Sequence, residues 1–184
     1  TYFTATVNSA SFYPELKVNY RDSGSQNKIG LRFTDLNAPS NSLVQKGLLK
    51  LVASKNNGTG KLKIYTEQGK DALPFIEENE NISSRQRDVG YIEVPFTNWN
   101  AGQDRLFDIA ALIQNKFNDP EWCGGGNVAF IIESEEANGV YSFDYSENNA
   151  PELIMQYDGG TDVSCKSLSS ITQVNDFGDD SYQD

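Results

Sequence analysis

The stretch from Asn127 to Tyr157, NVAFIIESEEANGVYSFDYSENNAPELIMQY, decides the fold, because it holds three strand-like runs separated by polar turns. The first run, Val128–Glu133, is apolar on both faces, which is typical of a central strand in a packed sheet. The second run, Val140–Tyr145, alternates aromatic with polar residues and predicts a strand with one buried face. The third run, Glu152–Tyr157, alternates in the same way. The acidic turns between the runs favour antiparallel strands.

The same alternation with period two recurs upstream of this stretch. It predicts strands at Tyr2–Val7, Leu16–Tyr20, Ile29–Phe33, Gly47–Ala53, Leu62–Thr66 and Tyr91–Phe96. The fourth and fifth of these flank an Asn57-Gly58 turn, so we predict that they form a β-hairpin. Apolar residues then recur at steps of three and four, which predicts a short amphipathic helix at about 108–117.

These elements predict an all-β fold, namely an antiparallel β-sandwich of jelly-roll type with one short helix and an extended C-terminal tail. We place the sandwich module at 1–158 and the tail at 159–184. The tail is rich in Ser, Asp and Gly and has the composition of a disordered segment. We expect it to dock on the domain or on a neighbouring chain.

The charge of the chain excludes one class of partner. With 184 residues and a formal net charge of -11, it lacks the basic surface that nucleic acids require. The same sign disfavours anionic membranes and polyanionic sugars, unless a bound cation inverts the local field. No apolar run approaches the length of a spanning helix, so we expect no membrane insertion. No signal segment is recognisable, and we expect a mature form or an excised module.

Histidine is absent, which removes the most common general base and the most common zinc ligand. The two cysteines, Cys123 and Cys165, match no metal-binding spacing. We favour a disulfide that ties the tail to the domain, and two unrelated buried thiols are the alternative. A disulfide would indicate an oxidising compartment. Two sequons, at Asn57 and Asn81, agree with a secreted or cell-surface glycoprotein.

Several short motifs follow one another over nearly the whole chain before the tail. They are Ile29-Gly30-Leu31-Arg32-Phe33, Asn37-Ala38-Pro39, Asn81-Ile82-Ser83-Ser84-Arg85, Trp99, the helix from Asp108 to Gln114, Trp122, Gly126-Asn127, Ala150-Pro151, Leu153 and Tyr157. In this order and spacing they resemble the DNRLRE-type domains and related carbohydrate-binding-module-like domains. The resemblance implies a jelly-roll sandwich of secreted and cell-surface proteins. Such modules serve sugar binding, adhesion or spacing, sometimes with structural calcium, and not catalysis.

Four residues are candidates for ligand binding: Trp99, Arg32, Tyr91 and Trp122. Pyranose rings stack on flat aromatic rings, so Tyr91 and the two tryptophans are the candidates that face a sugar. Trp99 follows a strand end beside a loop, and we expect it to be the most exposed; capping the core is its alternative role. Arg32 lies opposite the apolar residues of its strand, where it could clamp an acidic ligand or pair with a neighbouring acid.

A group of carboxylates is the candidate metal site: Glu133, Glu135, Glu136 and Asp144. Calcium, the one cofactor that we consider, takes several oxygen ligands of this kind, although the chain has no EF-hand pattern. The acids also suit the paired carboxylates of a glycosidase. Solvated loop charge is the commoner explanation of such a group.

The sequence therefore predicts a non-catalytic extracellular recognition or adhesion module, whose partner is a glycan or another component of the extracellular matrix. The alternative is a structural subunit of an extracellular filament or surface layer. Such a subunit would self-associate through strand edges and through the tail. A carbohydrate-active enzyme that uses carboxylates is the third hypothesis.

Overall fold

A computed structural model of the chain describes residues 2–6, 27–76, 81–135, 138–141 and 149–160. Within these residues, eight β-strands and one α-helix follow in order. The strands are β1 (Tyr2–Thr6), β2 (Asn27–Leu36), β3 (Leu43–Val52), β4 (Gly58–Thr66), β5 (Ile92–Trp99), β6 (Asp104–Asp108), β7 (Gly126–Ser134) and β8 (Glu152–Asp158). The helix α1 (Ala110–Phe117) lies between β6 and β7.

The strands form two four-stranded sheets in the described part of the chain. Sheet A has the order β1-β8-β3-β6 and sheet B has the order β2-β7-β4-β5. Every pairing is antiparallel, and the pairs are nested: β1 with β8, β2 with β7, β3 with β6 and β4 with β5. This nested order is that of a jelly roll, in which one long antiparallel ribbon wraps into two facing layers. The predicted all-β sandwich with one short helix is confirmed.

The core lies between the two sheets, where each strand turns alternate side chains inward. Its fully buried members from sheet B include Leu31, Phe33, Leu62, Ile64 and Phe130, and those from sheet A include Leu49, Leu51 and Leu153. Helix α1 packs against β3 at Gly47. A Cβ atom at Gly47 would lie 2.8 Å from the Cα of Ala110, so the absence of a side chain there allows the helix to approach.

The outer face of sheet B is covered in part by residues 67–76 and 81–88, which we call the covering segment. The ring of Phe75 lies directly over Gly30 of β2, where a Cβ atom would be 2.5 Å from the ring. Phe75, Ala72 and Ala129 form a second apolar cluster, against which Ile82 packs. This cluster buries apolar surface that a sandwich leaves open to water when nothing crosses its outer face.

Arg85 holds the covering segment together. Its guanidinium donates to the Glu67 carboxylate at 2.8 Å and to the carbonyl oxygens of Leu73 and Pro74, each at 2.8 Å. The same group lies 4.0 Å from the centroid of the Phe75 ring. A planar group with several donors is required for this set of contacts, and lysine does not supply it.

Lys116, on helix α1, fixes both ends of the covering segment. This side chain is only 3% exposed. Its ammonium donates to the carbonyl oxygen of Glu67 at 2.7 Å and to the carboxylate of Asp88 at 3.1 Å. Asp88 also accepts a hydrogen bond from the Thr66 hydroxyl at 2.8 Å. The buried ammonium of Lys116 therefore links helix α1 to the covering segment, and Asp88 links the segment to Thr66 of β4.

The predicted hairpin between Gly47–Ala53 and Leu62–Thr66 is wrong. Strand β3 pairs with β6 and β8 in sheet A, whereas β4 pairs with β5 and β7 in sheet B. In the nested order, the first four strands pair with the last four. Strands β3 and β4 both belong to the first four, so they do not pair with each other. The Asn57-Gly58 turn, with Gly58 at φ 72°, instead carries the chain from one sheet to the other.

The predicted helix begins too early. Residues Asp104–Asp108 form β6, a strand that the sequence pattern did not predict. The helix starts only at Ala110. On β6, Leu106 is 53% exposed, while Phe107 is buried in the core. Asp108 still marks the start of the helix, because its carboxylate accepts a hydrogen bond from the Ala110 N–H at 3.0 Å.

Some predictions lie outside the described residues. These are the strand at Leu16–Tyr20, most of the strand at Val140–Tyr145 and the tail beyond residue 160. Val140 itself is buried and bridges Ala53. The last strand, β8, ends at Asp158, next to the predicted start of the tail, and the domain boundaries stay a prediction.

Replacing Arg85 with Lys should release the covering segment without disturbing the sandwich core. The variant loses hydrogen bonds to the half-buried Glu67 and to the exposed carbonyl groups of Leu73 and Pro74, so we expect the free energy of unfolding to fall by about 1–2 kcal/mol. Limited chymotrypsin digestion should cut after Phe75 earlier than in the wild type. Arg105→Lys is the matched control, because Arg105 makes one exposed contact, to the Thr97 carbonyl. Equal digestion of both variants would contradict the assigned role of Arg85.

Candidate functional site

The part of the outer face of sheet B beyond the covered cluster carries charged and aromatic side chains. Along β4, Leu62 and Ile64 point into the core, so Lys61, Lys63 and Tyr65 point outward. We call this surface the Tyr91 face. Its members are Lys28, Lys61, Lys63, Tyr65, Arg87, Tyr91, Glu93, Glu133 and Glu135.

A row of alternating charge crosses the Tyr91 face over all four strands of sheet B. Strand register places Lys28 beside Glu133, Glu133 beside Lys63, and Lys63 beside Glu93. Cross-strand neighbours of opposite sign stabilise a sheet by a few tenths of a kcal/mol each. The strand register therefore sets the order of positive and negative side chains across this face.

Glu133 is the most enclosed carboxylate of the row and is only 7% exposed. The Nη1 atom of Arg87 lies 2.8 Å from its Oε1 atom, and the Nζ atom of Lys28 lies 3.8 Å from the same oxygen. At the far edge of the sheet, Lys61 pairs with Glu93 at 3.2 Å, with both side chains more than 40% exposed. The hydrogen bond and the charge of Glu93 raise the pKa of Lys61.

Two tyrosine rings lie beside the charged row. The centroids of Tyr65 and Tyr91 are 5.1 Å apart, and their planes are tilted by 40°. Arg87 lies 4.7 Å from the centroid of Tyr65, and the Nζ atom of Lys63 lies 5.4 Å from the centroid of Tyr91. Tyr65 is half-buried, whereas Tyr91 is 49% exposed. The arrangement presents one aromatic ring to solvent on a support of packed side chains.

Burial raises the pKa of the Tyr65 phenol, and the negative charge of Glu133 and its hydrogen bond raise it further. Arg87 opposes these effects by lowering the pKa. Because the folded protein favours the neutral phenol, the contribution of Tyr65 to stability is present below the ordinary pKa of 10.0. It is lost as the pH rises above that value.

A cleft opens next to the tyrosine pair and is lined by Lys61, Lys63, Glu133, Ser134 and Glu135. Its walls come from β4 and from the end of β7. Ammonium groups and carboxylates thus border the same opening. The cleft is small, with a volume of about 10 Å³, and its lining can both donate and accept hydrogen bonds.

The structure corrects the prediction that Trp99 is the most exposed aromatic candidate, because this residue is fully buried. Its ring packs edge-on against Phe96 at 5.3 Å and Phe107 at 5.6 Å. Its indole N–H donates to the Gln103 carbonyl at 2.9 Å. Trp99 therefore caps the core, which was the alternative role.

Trp122 is also buried and cannot present a surface platform to a sugar. Its indole N–H donates to the Ala38 carbonyl at 2.9 Å, and its ring packs against Phe117 at 5.4 Å. Arg32 lies on the outer face of sheet B as expected, and its Nε–H donates to the Ala72 carbonyl at 2.6 Å. Arg32 therefore anchors the covering segment. Of the four candidates, Tyr91 alone is exposed on the uncovered part of the outer face of sheet B.

The predicted calcium ligands separate in the structure. Glu133 is held by two cations, which is the wrong environment for a metal ligand, whereas Glu135 is exposed at the cleft. Glu136 and Asp144 lie outside the described residues. Among the residues that the structure describes, no group of three or more Asp, Glu, Cys or His side chains is placed to hold a metal ion.

Two buried polar atoms in the described part of the chain are unsatisfied. The side-chain oxygens Oγ of Ser54 and Oδ1 of Asn138 are buried without a hydrogen-bond partner. Asn138 is 5% exposed and closely follows the acidic pair Glu135 and Glu136 in sequence. Buried oxygens without partners are costly unless water or a cation satisfies them.

The remaining predictions concern covalent modification. Cys123 is not a free thiol, but Cys165 lies outside the described residues, so the disulfide stays a prediction. The Asn57 amide donates to the Gly139 carbonyl at 3.0 Å and accepts from the Gly139 N–H at 2.8 Å. The Asn81 side chain accepts hydrogen bonds from the Ile76 N–H and from Arg85, each at 3.2 Å. Glycosylation at both sequons stays a prediction.

No protein-family model matches the chain, and no curated protein sequence matches it significantly. The resemblance to DNRLRE-type and carbohydrate-binding-module-like domains therefore stays a prediction. In the described ranges, no helix has the length and apolar character needed to cross a membrane.

Sequence reasoning named Tyr91, Glu133 and Glu135 and missed the other six residues of the Tyr91 face. Lys63 and Tyr65 had a usable signal, because they share the outward side of β4 with Lys61 while leucine and isoleucine fill the inward side. Arg87 had none, since it lies in an irregular stretch, and its position depends on an isolated bridge to Glu67.

Replacing Glu133 with Gln should weaken the fold and change the titration of Tyr65. The variant leaves two partly buried cations without their carboxylate, so we expect a loss of about 1–3 kcal/mol in the free energy of unfolding at pH 7. The pKa of Tyr65 should fall, because the charge of Glu133 no longer disfavours the phenolate. Absorbance titrations with and without Tyr65→Phe isolate this phenol.

Glu135→Gln is the matched control for this variant. Glu135 is exposed on the same strand end, so its replacement should leave both the melting temperature and the titration of Tyr65 unchanged. An unshifted Tyr65 titration in Glu133→Gln would show that Glu133 does not govern this phenol.

Proposed function

We propose that this protein is a non-catalytic extracellular recognition or adhesion module that binds glycan through the Tyr91 face. The observation that carries the proposal is the half-exposed ring of Tyr91, packed against Tyr65 and bordered by charged side chains. A flat aromatic ring offers an apolar surface to the C–H groups of a pyranose. The lysines and glutamates around it offer hydrogen bonds to the hydroxyl groups.

The setting of Tyr91 favours binding because its support is already ordered. Tyr65 packs against the Tyr91 ring, and Arg87 packs against Tyr65 while it pairs with Glu133. A ligand that stacks on Tyr91 therefore needs little rearrangement of these side chains, and preorganisation of this kind reduces the cost of binding.

The environment of Glu133 supports binding over hydrolysis. A glycosidase requires two carboxyl groups that face the scissile bond from opposite sides. Glu133 instead directs its oxygen toward Arg87 and Lys28. The other described carboxylate of the cleft, Glu135, is exposed. These positions favour a surface that holds a sugar without cleaving it.

A second candidate function, the structural subunit of an extracellular filament or surface layer, is favoured by the strand edges. In the described chain, β1 and β6 border sheet A, while β2 and β5 border sheet B. Leu106 on β6 is 53% exposed. An open edge with an exposed apolar side chain is a template for pairing with another copy. Polymers in size-exclusion chromatography would favour this function over the first.

Replacing Tyr91 with Ala should abolish glycan binding, because it removes the stacking surface. We expect the dissociation constant for a glycan found on an array to rise at least about tenfold, which corresponds to about 1.4 kcal/mol. Isothermal titration calorimetry measures this change. Tyr91→Phe should keep most of the affinity, since the ring is retained.

Leu106→Ala is the matched surface control, because Leu106 is exposed to a similar degree on the opposite sheet. It should bind glycan like the wild type. Unchanged binding by Tyr91→Ala would contradict the assignment of the site, and an array without any bound glycan would contradict the proposed function.

Calcium is part of the proposal as a structural ion near Asn138. A bound ion stabilises the folded state in proportion to the logarithm of its concentration, so calcium in excess should raise the melting temperature by a few degrees. Asn138→Ala should remove the increase, whereas Asn100→Ala, at an exposed position, should keep it. A melting temperature that does not respond to a calcium chelator would contradict this part of the proposal.

A further inference from the structure

Lys63 differs from the other cations of the Tyr91 face. Among the described residues, Lys28 and Arg87 pair with Glu133, and Lys61 pairs with Glu93. Lys63 lies beside both of these glutamates in the strand register, yet it makes no salt bridge to either. The salt bridges of these two carboxylates go to other cations, so Lys63 has no salt bridge within the residues that the structure describes.

The position of Lys63 connects its charge to the aromatic ring. Its Nζ atom lies 5.4 Å from the centroid of Tyr91, and the residue also lines the cleft with Lys61 and Glu135. The ammonium is therefore within reach of a group carried by a sugar that stacks on Tyr91. A partly buried ammonium gains more from an anionic partner than a fully exposed one does.

We propose that the Tyr91 face is selective for acidic glycans, whose carboxylate or sulfate pairs with Lys63 while the sugar ring stacks on Tyr91. The inference rests on the proposed glycan-binding function and names its ligand class. In a uronic acid, the carboxylate is attached directly to a ring carbon, so stacking and ion pairing occur together. A sulfate ester supplies the same charge from a hydroxyl position.

The net charge of -11 does not prevent this selectivity. At physiological ionic strength, charges more than about 8 Å apart are largely screened, so the local balance decides. Among the described residues, the Tyr91 face has four cations, Lys28, Lys61, Lys63 and Arg87, against three acids, Glu93, Glu133 and Glu135. The face is thus locally positive by one charge on an acidic protein, and the surrounding acids restrict anion binding to this place.

The test compares a charged glycan with its neutral counterpart on the full chain. Oligogalacturonate and its methyl ester differ in the charge of the carboxyl group, and a sulfated galactan oligosaccharide provides the sulfate arm. Calorimetry at physiological salt should show at least about tenfold tighter binding of one acidic glycan than of the neutral ester. The acidic glycan that binds more tightly, carboxylated or sulfated, identifies the anionic group that the site prefers.

Lys63→Gln should abolish this preference, so that the acidic glycan binds no more tightly than the neutral ester. Its melting temperature should fall only slightly, because Lys63 makes no salt bridge within the described residues and loses only its cross-strand neighbours Glu93 and Glu133. Lys46→Gln, an exposed lysine on sheet A, is the matched control and should keep the full preference.

Equal affinity for the acidic and the neutral glycan would overturn the inference while leaving the proposed function intact. A preference that survives in Lys63→Gln would overturn the assignment of the charge to Lys63. Absence of binding to all three glycans, together with an empty glycan array, would overturn the inference and the proposed function together.

Discussion

The burial of strand β7 on both faces is the constraint on which the rest of the structure depends. All residues from Val128 to Ser134 are buried, so both sides of this strand need cover. The inner side meets the sandwich core, where Phe130 packs edge-on against Phe33. The outer side cannot be left to water, because Ala129 and Ile131 carry apolar surface there.

The outer cover of β7 determines where a ligand can bind. The covering segment lies over Ala129 through Phe75 and is fixed by Arg85 and by the buried Lys116. Toward the other end of the strand, the cover changes from apolar to charged. Glu133 is screened by cations from β2 and from the end of the covering segment. The tyrosine pair lies at this boundary, and one of its rings reaches solvent.

The sequence pattern predicted the inward-facing residues well but not the neighbours of each strand. Alternation identified Leu31 and Phe33 as buried, because a single strand determines which side chains share a face. The position of β4 between β5 and β7 comes from the nested pairing of the whole ribbon, which no local turn signal contains. The failed hairpin has this cause. Trp99 was misplaced for a related reason, since its pocket includes Phe107 from the strand that was missed.

The charges of the Tyr91 face have two separate roles. Glu133 has two salt-bridge partners, so its charge is used to fix Arg87, which in turn packs on Tyr65. Lys63 stands between two glutamates whose salt bridges go to other cations, and among the described residues its ammonium makes a contact with the Tyr91 ring. Its proposed role, beside an exposed ring, is to pair with an anion carried by the ligand.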